Sequence, residues 1–74
     1  MVQVNLVDWR VGMRKVSLSI LIRDRTELSL AQAKGCVDQL LDGHTVPILL
    51  PTVDAAEQFR REASELGAVC VIEK

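Results

Sequence analysis

Aromatic residues are nearly missing from this chain. Trp9 and Phe59 are all there are, 3% of 74 residues, with no Tyr. Two aromatics offer no stacking platform for single-stranded nucleic acid. Cysteine is scarce too: a secreted mini-protein of this size usually carries four or more, and Cys36 and Cys70 are the full set. They read as reduced, buried thiols, and their wide spacing with one histidine, His44, matches no zinc motif. No apolar run nears the roughly 18 residues of a membrane span. No secretory signal is visible, because residues 1–9 alternate in polarity. Net charge is close to nil at −1, and 49% of residues are apolar, which excludes a disordered chain. The expectation is one small cytoplasmic domain over 1–74.

What the chain does have is legible periodicity. Residues 2–7 alternate, Val2, Val4 and Leu6 against Gln3 and Asn5, which predicts a strand with one buried face. Residues 10–13 read as a turn. From Arg14 the apolar spacing becomes helical, with Leu18, Leu21 and Ile22 inward and Val16 and Ile20 toward the edge. Ile20 to Ile22 also suits a strand, so this stretch is ambiguous by propensity alone. Ser29 followed by Gln32 is a capping box that opens a second helix. Its stripe is Leu30, Ala33, Val37, Leu40 and Leu41, and Gly43 ends it. Gly35 inside that helix implies close packing against the helix before it.

Val46 to Leu50 is a second strand, and Pro47 within it argues for a sheet edge. Thr52 caps a third helix whose inner face is Ala55, Ala56, Phe59, Ala63 and Leu66. Gly67 ends it, and Ala68 to Ile72 is the last strand. The order β-α-α-β-α-β predicts an α+β, two-layer domain with helices on one face of a three-stranded antiparallel or mixed sheet. The first strand lies in the centre, antiparallel to both others.

Catalytic signals are poor. His44 stands alone in a turn, the acids are scattered, Glu57 and Arg61 make an ordinary i,i+4 pair, and no glycine-rich phosphate loop exists. No enzyme, cofactor or metal is expected. Charge says more. Residues 9–35 hold Arg10, Arg14, Lys15, Arg23, Arg25 and Lys34 against Asp24 and Glu27, net +4; the remainder is −5, which sums to −1. Such a dipole orients an acidic protein partner. Nucleic acid is a weaker partner at this acidic pI. The open sheet face is expected to keep aliphatics. Val7 and Trp9 come from the first strand, Val69 and Val71 from the last, and the second sets Ile48 and Leu50 against Val46 and Leu49. That face is a candidate for self-association, possible as a homodimer.

One segment carries a family resemblance. Lys15-Val16, Arg23, Thr26, Leu28, Leu30 and Ala33-Lys34, with Asp54-Ala55-Ala56-Glu57 and Glu65-Leu66-Gly67-Ala68 later, resemble the C-terminal domain of the bacterial large-subunit ribosomal stalk protein. The likeness covers roughly 2–73 and implies the same β-α-α-β-α-β fold. In that family the first two helices recruit translational GTPases. The resemblance therefore implies a partner-binding surface at Lys15, Val16, Ser19, Ile20, Arg23 and Lys34. Ile20 stands where the family has a lysine. Glu27 and Ser29 replace two glycines, so Glu27 either takes left-handed geometry at a cost of about 1 kcal/mol or the turn differs. The family's dimerisation region and hinge are not in this sequence, which reads as a stand-alone relative. The expected role is a non-catalytic protein-binding domain, its partner a translation factor by resemblance. The alternative is a small self-associating, immunity or regulatory protein that uses the open sheet face.

Overall fold

The computed structural model describes residues 1–73. Strand β1, Val2–Trp9, is the centre of a three-stranded sheet in the order β2-β1-β3. It pairs antiparallel with β2, Val46–Leu50, and with β3, Ala68–Glu73. Helices α1, Lys15–Arg25, α2, Leu30–Leu41, and α3, Val53–Glu65, complete the α+β architecture. α2 packs over β1 and β2, and α3 over β3 and β1; α1 rests chiefly on α2 and α3. Among the described residues no helix is long and apolar enough to cross a membrane.

The alternation read in β1 is the one observed. Val4 and Leu6 are wholly buried beneath the helices, and they meet Leu18 and Ile22 of α1, Val37 and Leu40 of α2 and Phe59 of α3. Burying Phe59 and its aliphatic neighbours removes each from water, worth about 1.5–3 kcal/mol apiece. In β2 the side chains alternate strictly: Val46 joins Ile48 and Leu50 in the core, while Pro47 and Leu49 point out. Placing Val46 beside Leu49 on one face therefore fails, since residues four apart share a face of a strand and residues three apart do not. Pro47 does lie on an outer strand, where its missing N–H leaves the ladder intact.

Local chemistry sets the helix ends. The Gln32 N–H donates to Ser29 Oγ at 3.1 Å, and the Ser29 N–H donates to Gln32 Oε1 at 2.9 Å. The Ala55 N–H donates to Thr52 Oγ1 at 3.1 Å. Among the described residues no non-glycine residue has positive φ, so Glu27 is not left-handed. Thr26 shapes the turn between α1 and α2: its hydroxyl donates to the Ile22 carbonyl at 2.6 Å and accepts from the Leu28 N–H at 3.1 Å. Gly35 is exposed with nothing within 4 Å of where a Cβ would stand, so it makes no close helix contact and nothing in the structure explains it.

One feature of β1 departs from simple alternation. Leu6 faces Cys70, but Asp8 faces Val69, so Val7 is an inserted bulge residue. The insertion flips the parity beyond it. Trp9 lies opposite Ala68, which is wholly buried on the helix side. Cross-strand partners share a face. Trp9 is thus on the helix side of the sheet, not on the open face with Val7, Val69 and Val71.

Candidate functional site

α1 carries no side-chain cap at its start; the loop before it is clamped instead. The Arg10 N–H donates to the Gly67 carbonyl at 2.8 Å, the Arg14 N–H to the Leu66 carbonyl at 2.9 Å, and Arg10 Nη1 to the Ser64 carbonyl at 3.2 Å. At its other end, Arg25 Nη2 lies 2.9 Å from both carboxylate oxygens of Glu62 on α3. α1 is fixed at both ends, and α2 follows it across a tight turn.

Between them runs a shallow groove of about 210 Å³, lined by Lys15, Val16 and Ser19 from α1 and Lys34, Val37 and Asp38 from α2. Four of the six expected binding residues thus converge. Val16 is 69% exposed and Ile20, one turn on, 38% exposed. Neither Lys15 nor Lys34 makes an ion pair among the described residues. Ile20 lies outside the groove lining; exposed Val16 with two cations that make no ion pair among the described residues suits an acidic, partly apolar ligand.

Ser19 and Arg23 play different parts. Ser19 is only 3% exposed, and its hydroxyl donates back to the Lys15 carbonyl at 2.9 Å. It is the floor of the groove, because Leu18 and Ile22 turn this side of α1 inward. Arg23 lies outside the groove and holds Asp24 Oδ1 at 3.1 Å. Asp38 is a lining residue that sequence reasoning missed. Its signal was present: it stands one helical turn after Lys34, on the same face. Similarly, Glu57 pairs with Arg60 at 3.0 Å rather than with Arg61.

The open sheet face is less apolar than expected. Val7, Leu49 and Val71 are exposed, and Val69 is half-buried. Between them stands a polar cluster: Gln3 Nε2 donates to Asn5 Oδ1 at 2.8 Å and to Glu73 Oε2 at 2.9 Å, and Asn5 Nδ2 donates to the same Glu73 oxygen at 3.2 Å. A larger hollow of about 740 Å³ lies between the α1–α2 turn and β2, open to solvent beside Met1, Leu28, Pro47 and Pro51.

Both cysteines are free and half-buried. Burial pushes the Cys36 thiol up, and it pushes Cys70 to about 11 against the opposing pull of the Arg60 charge. In both places burial disfavours the thiolate. His44 is exposed in its turn, and no three metal-ligating side chains gather among the described residues. The chain matches no protein-family model and no curated protein.

Proposed function

We propose that the groove between α1 and α2 docks an acidic segment of a protein partner, without catalysis. One observation carries this reading: Val16 stays exposed in one groove with Lys15 and Lys34, which have no internal ion-pair partner among the described residues. Exposed aliphatics of this kind gain from being covered, and adjacent unpaired cations set orientation and on-rate. The resemblance of Lys15-Val16, Arg23 and Ala33-Lys34 to the ribosomal stalk domain makes a translational GTPase the partner class to test first. Open-face association is the weaker reading, because covering that face would bury the Gln3, Asn5 and Glu73 cluster with its carboxylate.

The test is titration of purified bacterial translational GTPases onto the protein across a salt series. Binding should weaken as salt rises, and Lys15→Glu should reduce affinity roughly fivefold or more, the equivalent of about 1 kcal/mol. Val16→Ser should weaken it without the salt dependence changing. Binding indifferent to salt and to both substitutions overturns the proposal, as does no binding by the unaltered protein.

A further inference from the structure

Asp38 stands where the helix that carries it gains nothing from a carboxylate. It opens the last turn of α2, at the negative end of the helix dipole, and that turn holds no basic residue. Asp42 follows one turn on, so the next charge along the same face repeats its sign. Lys34 precedes it by one turn. Among the described residues, however, no ion pair joins Asp38 to Lys34, or to Lys15 on the facing helix. The side chain is exposed, and it lines the groove beside Val16 and Val37. A carboxylate that the fold does not use thus shares one groove with two cations in the same position. All three charges are free to meet a ligand.

The groove is therefore not uniformly basic. α1 and α2 pack together across a short turn, so they run roughly antiparallel. Lys34 lies toward that turn and Asp38 away from it. Along the α2 wall the charge changes sign within one helical turn, about 5–6 Å between Cβ atoms. A segment that is acidic throughout satisfies Lys34 and is repelled at Asp38. A segment with an acid and a base at that spacing satisfies both. A helix supplies the spacing at positions i and i+4, whereas same-face neighbours on a strand stand about 6.4–6.8 Å apart.

We propose that Asp38 sets the specificity of the groove: it takes a basic side chain of a partner helix, four residues from the acidic side chain that Lys34 takes. The inference rests on the groove reading and narrows its ligand. The occupant is a helix of a protein partner, with an acid and a base one turn apart and an apolar residue beside them for Val16. Like charges brought face to face are a means of rejecting wrong partners, and Asp38 rejects polyacidic segments in this way.

Two alanine-rich helical peptides of about 18 residues test this. Each carries Leu beside Glu; four residues after the Glu, one has Lys and the other a second Glu. Both are titrated onto the unaltered protein, Asp38→Asn, Asp38→Lys and Asp42→Asn, and NMR follows the Lys15, Val16 and Lys34 amides. The ratio of the two affinities in the unaltered protein is divided by the same ratio in each variant. That quotient cancels whatever the peptides differ by on their own. It should favour the Glu–Lys peptide about threefold for Asp38→Asn and more for Asp38→Lys. It should stay near one for Asp42→Asn, which lies outside the groove lining. Asp38→Asn should also raise the midpoint of urea unfolding, so a lost preference is not lost structure. A quotient of one in both Asp38 variants, while both peptides shift the groove amides, overturns the role of Asp38 and leaves groove docking standing. An equal quotient for Asp42→Asn assigns the preference to the charge of the whole helix end, and a lowered unfolding midpoint assigns Asp38 to the fold; either overturns the proposal. Groove amides that respond to neither peptide overturn both this inference and the reading it rests on.

Discussion

Replacing Gly67 with alanine should be among the most damaging single-methyl changes in this domain. Two separate penalties meet there. The residue has φ +96°, where an L side chain is strained by about 1–2 kcal/mol. An added Cβ would also stand 2.8 Å from the Met13 Cα and 3.2 Å from its Cβ. The obstacle is backbone, and the loop that carries it is held by the bonds from Arg10 and Arg14 to Gly67 and Leu66. It cannot retreat without breaking them. Overpacking of this kind costs about 1–3 kcal/mol, so Gly67→Ala should lose about 2–5 kcal/mol in all. A domain of this length has about 4–11 kcal/mol to lose. Gly43→Ala is the control. Its φ is +92°, but nothing lies within 4 Å of the new methyl, so only the backbone penalty of about 1–2 kcal/mol applies. Urea unfolding followed by far-UV circular dichroism measures both, and each kcal/mol should lower Tm by about 4–8 °C. If Gly67→Ala is no more destabilised than Gly43→Ala, the close approach of Met13 is not what requires the glycine.

Further outcomes follow from the same structure. Gly35→Ala should stabilise by about 1 kcal/mol in the same unfolding assay, because the new methyl meets open space in a helix interior. Ser29→Ala should cost about 1 kcal/mol, since both bonds of the capping box pass through that residue's side chain or the partner it holds. Cys70 should alkylate far more slowly than a free thiol at pH 8, read by mass spectrometry after digestion. Its folded pKa of about 11 lies above the unfolded value of 9.0, so the folded state keeps the proton longer. That contribution is intact below pH 9 and is lost as pH rises toward 11, so unfolding midpoints should fall across that window.

Much of the fold was readable because its signals are local. Ser29 and Gln32 sit three apart and satisfy one another, Pro47 carries its edge preference in its own ring, and alternation in residues 2–6 needs no partner to be seen. The bulge at Val7 had no such signal. It arises from the register between β1 and a strand some 60 residues later, and that register put Trp9 on the other side of the sheet. Ser19 illustrates the same limit at the candidate site. A serine in an amphipathic helix reads as surface, yet α2 covers it, and only the angle between two helices decides that. Lys15, Val16 and Lys34 were singled out by the family resemblance, and the packing of α1 on α2 sets them along one groove. Asp38 was overlooked because a lone acid in a helix looks like solubilising surface.

The central position of β1 carries a consequence for how this domain comes into being. The first strand made must wait for the last, since Gln3 and Glu73 are neighbours in space and bonded side chain to side chain. Until residues 68–73 have been synthesised, one whole side of β1 has nothing to bond. A chain emerging slowly would hold a half-built sheet whose middle strand is itself an open edge. Folding here is an act of closure, with the two ends of the domain as the clasp, and a nascent chain halted before its final strand should behave as a sticky fragment instead of a smaller version of the protein.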